Sequence, residues 1–430
     1  MMRQNIFGDS RYRTVKEARI VEMLLVYGWK FDVAAGRRAA AEQAARAALE
    51  RCIALGLPHR PSVGGERMFD PVETWNYVKW THFNHGDRIW ENQCVSTARH
   101  EAWESVSDGG DIRFPPAQNT FRSRRYMVTI RRTFNLDARQ VGNRVRLRLP
   151  LPLEDLALRD LSVEFLPPPG VTVETSMAPA RLDALLQLPH PGAACIGIRT
   201  SFTAYPITPQ AAPSLDPTQT ALYTRPSEGL IKLSERIAAL AVQLAGTDPD
   251  HLSVVRRFWN FMLDELALGA IHYDALDPSR PLDWVLDHGW YDCKIGSALV
   301  VALCRARRIP ARLVTGYMLH VTAPGFHTWL EAWIDGQGWL PLDLMCWELS
   351  VGGRDAEWRN YYFGHLDHRM VVERPPRLIN GLGALRLPDA WHMLISQTDS
   401  GSAIVFEDVE SGVIAYSEHI EVKRLDHAGR

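Results

Sequence analysis

The stretch Gly289–Tyr317, GWYDCKIGSALVVALCRARRIPARLVTGY, decides the fold, because it places a cysteine, a helix and a strand in direct succession. Its central run, SALVVALCRA (Ser297–Ala306), is apolar on nearly every side, which is typical of a helix buried inside a protein. The segment ARLVTGY (Ala311–Tyr317) has the pattern of a strand. We therefore expect a central buried helix that leads into a sheet.

Two of the six cysteines lie in this stretch, and their positions differ. Cys304 lies within the apolar helix, where a buried free cysteine behaves as a small apolar residue. Cys293 lies at the helix start, where unpaired N–H groups and the helix dipole favour a thiolate and can hold an oxyanion. Asp292 is a candidate cap for this helix, and its charge would raise the pKa of the thiol. Position alone leaves Cys293 open between a nucleophile and a core residue.

A catalytic cysteine needs a histidine as base and a third group that orients the histidine. The segment FHTWLEAWI (Phe326–Ile334) alternates in polarity, so His327 and Trp329 share one face of a predicted strand. The turn DGQG and the returning strand WLPLDL then bring Asp343 within cross-strand reach of His327. A single histidine or aspartate in a strand is usually structural. The three together predict a site formed by Cys293, His327 and Asp343.

The rest of the chain divides into regions with different patterns. Helical spacing dominates residues 1–121, whereas period-two strands broken by Pro, Gly and Asn dominate residues 122–209 and suggest a β-sandwich. The proline-rich segment Ile207–Thr220 is predicted to be a linker. Residues 221–375 contain the candidate site, and residues 376–430 are predicted to be a C-terminal extension that contains strands.

Two amphipathic helices are predicted directly after the linker. The first is expected to end at Gly246, a typical helix stop. The second is expected to have Asp248 and Pro249 at its start. Both helices precede the candidate cysteine and belong to the predicted catalytic region.

Composition and charge limit the classes of function. The chain has 430 residues, more than one compact core usually holds, so several domains are expected. Apolar residues make up 46%, charged residues 23%, and the net charge is −2, which gives no reason to expect a nucleic acid or a membrane surface as partner. The N-terminus resembles no secretory signal, and no apolar run is long enough to span a membrane, so a cytoplasmic location is expected.

Two places in the sequence contain residues of the kind that bind metals. His82 and His85 lie three residues apart, and the segment GHLDHR contains His365, Asp367 and His368. The first pair has no acidic or thiol residue at a ligand spacing, and a packed aromatic corner is the preferred interpretation. The second group leaves a metal hydrolase as a minor alternative. No C-x-x-C pair is present, so disulfides and a structural zinc are not expected.

Three segments together resemble the transglutaminase-like superfamily of papain-related cysteine enzymes. They are Gly289–Tyr317, Phe326–Leu344 and YYFGHLDHRM (Tyr361–Met370). The resemblance covers roughly residues 221–375, and the preceding β-rich segment resembles the N-terminal domain of many bacterial members. It implies an α+β fold with a papain-like catalytic domain, here preceded by a β-sandwich-like domain and a helical N-terminal region.

The resemblance also implies roles for the three candidate residues. Cys293 would be the nucleophile, His327 the general base and acid, and Asp343 the orienting residue. One departure is that Leu344 follows the aspartate, where the family usually has proline. No metal or organic cofactor is implied.

The residues that contact the substrate are less well defined by the sequence. Four aromatic residues are candidates for completing an oxyanion hole, and packing is an alternative role for each: Trp259, Trp284, Trp290 and Tyr291. Trp329 lies near the predicted triad and is a candidate wall of an acyl cleft. Trp290, Tyr291 and Trp329 are therefore the predicted substrate-binding residues.

The predicted function is a thiol-dependent acyl-enzyme catalyst that cleaves or transfers an acyl group from an amide or thioester. Its partner would be a peptide, a protein or a carrier-bound acyl substrate. One alternative is an acyltransferase that forms amide bonds from carrier-bound thioesters in a natural-product pathway. An alternative of another class is a binding or scaffold protein that keeps a papain-like fold without turnover.

Overall fold

Helices and strands are mixed along the chain, which confirms the predicted α+β fold class. Among the residues that the structure describes, no helix combines the length and apolar character that a bilayer span requires. The computed structural model describes residues 14–28, 37–85, 123–135, 144–178, 181–187, 192–269, 271, 276–277, 279–320, 324–345, 356–374, 402–404 and 413–425.

The N-terminal region is a small helical unit with a core of its own. Its core contains Leu24, Leu49 and Val78. Its short strands form a sheet in the order β1-β3-β2. The third helix begins after Asp70, whose Oδ1 accepts hydrogen bonds from two backbone N–H groups in the first turn, at 2.9 Å each. The elements are β1 (Val15–Lys16), α1 (Glu17–Gly28), α2 (Arg37–Ala54), β2 (Arg60–Pro61), β3 (Arg67–Phe69) and α3 (Pro71–His85).

The β-rich region that follows forms antiparallel sheets, as its period-two pattern predicts. Side chains of its strands alternate between buried and partly exposed, which is the pattern of sheets with one face on a core. One sheet contains β4, β9 and β6, and a second has the order β5-β8-β7. The strands are β4 (Arg124–Asn135), β5 (Arg144–Pro150), β6 (Leu158–Leu166), β7 (Val173–Ala178), β8 (Arg181–Gln187) and β9 (Ala193–Ala204).

The predicted linker packs along the next domain over much of its length. The backbone N–H of Ile207 donates to the Leu366 carbonyl at 2.6 Å, and Asp216 caps helix α4 (Pro217–Tyr223), which begins inside the predicted linker. The Gln210 carbonyl lies so close to Gly338 that any Cβ there would collide with it, and the φ of Gly338 is +88°. Glycine is therefore required at this contact.

The region of residues 221–375 is built around a buried helix, α8, which packs against α5, α6 and the strands β14 and β15. Strands β16, β15, β14 and β17 form one antiparallel sheet in that order. The elements are β10 (Ser227–Glu228), β11 (Ile231–Lys232), α5 (Glu235–Ala245), α6 (His251–Glu265), β12 (Ala267–Leu268), α7 (Asp283–His288), β13 (Trp290–Tyr291), α8 (Cys293–Ala306), β14 (Ala311–Met318), β15 (Gly325–Ile334), β16 (Gly338–Leu342), α9 (Ala356–Tyr361) and β17 (Arg369–Glu373).

The two predicted helices before the cysteine are present, with one corrected boundary. Helix α5 ends at Gly246 as predicted, with a positive φ of 60°. The prediction that Asp248 and Pro249 open α6 was wrong, because Asp250 is the cap and its Oδ2 accepts from the Ser253 N–H at 3.0 Å. Asp248 instead pairs with Arg257 at 2.7 Å.

Two strands near the C-terminus, β18 (Ser402–Ile404) and β19 (Val413–Arg424), return to the β-rich region. Strand β19 pairs antiparallel with β4, and the full sheet has the order β18-β19-β4-β9-β6. Residues 221–375 are therefore inserted between β4 and β19, two strands that are neighbours in space. The predicted boundary at residue 376 stays a prediction, since residues 375–401 lie outside the described part.

Buried polar contacts join the β-rich region to the sheet of β14–β17. Arg132 of β4 is almost fully buried and pairs with Glu418 of β19 at 2.7 Å. The same carboxylate accepts a hydrogen bond from the Tyr317 hydroxyl of β14 at 3.0 Å. On another side, Arg374 reaches Asp155 of the β-rich region at 2.5 Å. These contacts place β14 and β17 directly against the β-rich region.

Candidate active site

Cys293 is the first residue of α8, as the sequence predicts, and its side chain is half-buried. Asp292 caps the helix, since its Oδ1 accepts from the backbone N–H groups of Lys294 and Ile295, at 2.9 Å each. Burial and the neighbouring Asp292 charge raise the pKa of the Cys293 thiol, while a hydrogen bond from the Thr328 backbone N–H opposes the shift. The thiol is therefore protonated at rest. The hydrogen bond with Thr328, which follows His327 in the sequence, also places it against β15.

His327 and Asp343 form a buried hydrogen-bonded pair. Pairing of β15 with β16 in the register Leu330 to Leu342 places Asp343 one residue beyond the end of its strand. His327 Nε2 lies 2.8 Å from Asp343 Oδ1 and 2.9 Å from Oδ2. A carboxylate can only accept, so Nε2 carries the proton and Nδ1 is the nitrogen that can take one. The structure thus brings Asp343 to His327 on β15, the strand beside Cys293.

Asp343 has two further partners that the sequence did not suggest. Its Oδ1 accepts from the Met345 N–H at 2.9 Å, and its Oδ2 accepts from Arg369 Nη2 at 2.7 Å. Burial alone would raise the pKa of Asp343, but the charges and hydrogen bonds of His327 and Arg369 outweigh it and hold the pKa well below its ordinary value. Asp343 is therefore ionised at neutral pH.

Arg369 contacts Asp343 in the structure but is not among the site residues that the sequence predicts. It lies in the segment Tyr361–Met370 that carries the family resemblance, yet no role was assigned to it. The one available signal is an arginine at the start of the otherwise apolar run RMVV, because a buried arginine needs a paired anion. The sequence alone does not show which anion that is.

The predicted substrate-binding residues are mostly enclosed. Tyr291 and Trp329 have no exposed surface, and Trp290 is also buried. The Tyr291 ring packs against the first turn of α8, where a Cβ on Gly296 would collide with it. This burial supports packing roles for Tyr291 and Trp329, and the substrate-binding role of the three aromatic residues stays a prediction.

Three buried indole groups lack a hydrogen bond. Within the described part of the chain, the indole nitrogens of Trp259, Trp290 and Trp329 have no partner. The Trp329 ring lies beside that of His327, with ring centroids 6.2 Å apart. Buried donors usually find a partner, so three unpaired indole N–H groups are a departure from the common pattern.

An open cavity of about 690 Å³ lies between the start of α5 and α7. Trp284 and His288 line it together with charged residues. Cys293, His327 and Asp343 are not among its lining residues. Trp284 also contacts Trp290 edge to face, with centroids 5.7 Å apart. The cavity therefore adjoins the segment before the cysteine but is not the place where the three residues meet.

The second candidate metal group is occupied by its own contacts. His368 Nε2 lies 3.1 Å from Asp367, and His368 Nδ1 lies 2.5 Å from the Tyr126 hydroxyl. Among the described residues, no group of three or more histidine, cysteine, aspartate or glutamate side chains is arranged to hold a metal. The side chains of His82 and His85 lie outside the part that the structure describes.

Comparison with known families agrees with this arrangement. Residues 238–344 match the model of the transglutaminase-like superfamily, which confirms the resemblance seen in the sequence. The matched segment contains Cys293, His327 and Asp343. Comparison with curated proteins found no match.

Several solved structures are similar to the chain. A proposed cysteine protease from Cytophaga hutchinsonii is 17% identical, with a TM-score of 0.46, and the alignment covers 72% of this chain and 93% of that one. The periplasmic domain of TgpA from Pseudomonas aeruginosa is 17% identical over 57% of this chain and 96% of that one, with a TM-score of 0.31. Red sea bream transglutaminase is 11% identical over 51% of each chain, with a TM-score of 0.26.

Proposed function

We propose, on the premise that residues 238–344 form a domain of the transglutaminase-like superfamily, that this protein is a cysteine-dependent acyl-transfer enzyme. Its substrate would be an amide or a thioester. The observation that carries the proposal is the buried His327–Asp343 pair beside the first turn of the helix that begins at Cys293. This arrangement supports Cys293 as the nucleophile, His327 as the base and Asp343 as the orienting group.

In the first step His327 acts as a general base. The raised pKa of Cys293 means that the thiol starts protonated, so Nδ1 of His327 takes the proton as sulfur attacks the acyl carbon. The new S–C bond leaves an oxyanion on the former carbonyl oxygen. Asp292 already occupies the N–H groups of Lys294 and Ile295, which leaves the backbone N–H of Cys293 as the helix donor for that oxyanion.

In the second step His327 acts as a general acid. The C–N or C–S bond of the substrate breaks, the leaving amine or thiol takes the proton from Nδ1, and a thioester remains on Cys293. Water or an amine then attacks the thioester and regenerates the thiol. Asp343 stays ionised throughout and stabilises the imidazolium that forms in between.

Hydrolysis and transfer are both compatible with this site. The acceptor in the second step decides between them, and with it whether the enzyme is a peptidase, an amidase or an amine acyltransferase. Amide formation from carrier-bound thioesters is one form of the transfer reaction. A scaffold without turnover would not need the ionised Asp343 beside His327, because burying a charge costs desolvation.

The test is intact-mass spectrometry of the full chain after incubation with p-nitrophenyl acetate, or with an acyl thioester, in the presence or absence of butylamine. An acetyl adduct that peptide mapping places on Cys293 supports the proposal. The adduct should be absent from Cys293→Ala and present on Cys304→Ala, a matched change of a buried thiol in the same helix. Faster loss of the adduct with butylamine indicates transfer. No adduct on Cys293 with either donor would favour the scaffold alternative.

A further inference from the structure

The guanidinium of Arg369 connects the catalytic carboxylate to the loop that precedes β17. Its Nη2 donates to Asp343 Oδ2 at 2.7 Å, and both side chains are completely buried. Its Nη1 donates to the backbone carbonyls of Asp367 at 3.1 Å and His368 at 3.3 Å. The position of Asp343 therefore depends on the conformation of this loop.

The loop itself is held from the β-rich region. His368 has a φ of 48°, in the left-handed region that residues with a side chain adopt rarely and only when their surroundings hold them there. Its ring is held at both nitrogens, by Tyr126 at 2.5 Å and by Asp367 at 3.1 Å. Its carbonyl also accepts from the Leu319 N–H at 2.8 Å.

Tyr126 belongs to a different part of the molecule from the other residues of this network. It lies on β4, is almost fully buried, and is 242 residues away from His368 in the sequence. A continuous series of buried hydrogen bonds thus leads from Tyr126 through His368 and Arg369 to Asp343 and His327.

We propose that Arg369 is a positioning residue for the His327–Asp343 pair, and that the β-rich region holds Arg369 in place through Tyr126 and His368. The inference rests on the proposed function, because it concerns the same site. It makes the β-rich region a working part of the active site rather than an accessory domain.

Arg369 has an electrostatic effect as well as a geometric one. Asp343 shares its negative charge between His327 and Arg369, so a smaller part of it stabilises the imidazolium. Without the arginine cation, His327 would face an uncompensated carboxylate and would hold its proton to higher pH. The base must be neutral to accept a proton from Cys293, so the acidic limb of the pH–rate profile would move to higher pH.

The other titratable groups around this pair are identified by the structure. Cys293 faces it from α8, and His320 from the end of β14. His320 stays neutral, because burial and then the nearby Arg369 and His368 hold its pKa well below the ordinary value. Asp367 stays ionised, because the charges of His368 and Arg369 outweigh its burial and keep its pKa low. Neither of these two groups accounts for a limb near neutral pH.

The experiment measures the Cys293-dependent release of p-nitrophenolate from p-nitrophenyl acetate across about pH 5 to 9, a range that brackets an ordinary histidine. For Arg369→Met we expect the acidic limb to move up by about one pH unit, which lowers the rate about tenfold below the limb. For Arg369→Lys we expect the acidic limb to keep its position and the plateau rate to fall about tenfold. Lysine keeps the positive charge but lacks the planar guanidinium that donates from two nitrogens at once.

The matched control is Arg305→Met. Arg305 is equally buried and pairs with Glu228 at 2.8 Å, but it lies 12 residues after Cys293 on α8, about 18 Å along the helix. We expect its profile to overlay that of the wild type within about twofold, a margin that covers small packing changes.

A second pair of variants tests the tyrosine. Tyr126→Phe removes only the hydroxyl that holds His368, and we expect the plateau to fall about fivefold without a shift of the limb, because no charge is lost. Tyr205→Phe is its control, since Tyr205 lies at the end of β9 and its ring packs under Arg159. We expect that change to leave the rate unaltered.

The outcomes separate failure of the inference from failure of the proposed function. If the wild type releases p-nitrophenolate no faster than Cys293→Ala, the proposed function fails. If the wild type is active and Tyr126→Phe and Arg369→Lys both match it, the inference is overturned. The same follows if Arg305→Met moves the limb as far as Arg369→Met does. Should Arg369→Met not fold, as judged by near-ultraviolet circular dichroism, the Tyr126→Phe and Arg369→Lys results decide the question.

Discussion

Two buried carboxylates of the same hairpin have different surroundings. Glu331 on β15 is bound by two arginines, Arg312 at 2.6 Å and Arg374 at 3.3 Å. Asp343, just after β16, is bound by one arginine and one histidine. A carboxylate that arginines surround holds elements together, because its partners never give up their protons. A carboxylate that shares a histidine with a nearby thiol can support the movement of a proton.

The strongest test of this comparison removes the charge of Asp343. We expect Asp343→Asn to lower the rate of acyl-enzyme formation by about a thousandfold, because the imidazolium loses its stabilising charge and His327 its preferred tautomer. Stopped-flow release of p-nitrophenolate measures the effect. A loss of less than about tenfold would mean that Asp343 is no more than a structural residue.

The matched change at the other carboxylate should affect folding rather than chemistry. We expect Glu331→Gln to lower the free energy of unfolding by about 3–5 kcal/mol, because the change removes the buried anion that pairs with the largely covered Arg312 and Arg374. Urea titration followed by circular dichroism gives this value. The acylation rate per folded molecule should stay within about threefold of the wild type. A larger loss would mean that Glu331, like Asp343, supports the chemistry.

The acid limit of stability should reflect both carboxylates. Burial opposes the ionisation of Glu331, but Arg312 and Arg374 lower its pKa below the ordinary value, as His327 and Arg369 do for Asp343. Their stabilisation is fully present above the unfolded pKa values, about 4, and is lost as the pH falls towards the folded values. The urea concentration at the midpoint of unfolding should decrease once the pH is below about 4, and it should change little from pH 5 to 7. A midpoint that rises on acidification would contradict the signs of both shifts.

The two cysteines of α8 can be compared in the same way, with a smaller expected effect. Burial raises the pKa of both thiols, that of Cys304 to about 12. Because the thiolate is the reactive form, we expect the alkylation of Cys293 by iodoacetamide to rise about tenfold per pH unit from pH 7 to 8, without a plateau. Fully buried Cys304 should stay unmodified in the native protein. A plateau near neutral pH, measured by peptide mapping, would instead indicate a resting thiolate–imidazolium pair.

Much of the site could be predicted because its members lie close together in the sequence. The alternation of Phe326–Ile334 and the following turn determine which strands pair, and hence that Asp343 returns to His327. The same alternation does not show that both faces of β15 are buried. Trp329 therefore looked like a cleft wall in the sequence, whereas in the structure it is fully enclosed.

Other features depend on distant partners that no local pattern specifies. Arg369 meets Asp343 across 26 residues, and Tyr126 meets His368 across 242. The alignment of β19 with β4 is of the same kind, because both strands have the period of a half-buried strand and neither specifies its neighbour. The cap of α6 also depends on a tertiary contact. Asp248 pairs with Arg257, and Asp250 caps the helix in its place.

The pairing of β4 with β19 has a consequence for the order of events during synthesis. The ribosome makes β4 before residues 221–375 and β19 after them, so the sheet that carries Tyr126 cannot be completed until the segment with Cys293, His327 and Asp343 has been translated. Closing a contact over so long an interval is slow compared with forming the local hairpin of His327 and Asp343. A nascent chain therefore forms the hairpin of His327 and Asp343 before that hairpin gains the support of the completed β-rich region, which has to wait until β19 has been translated.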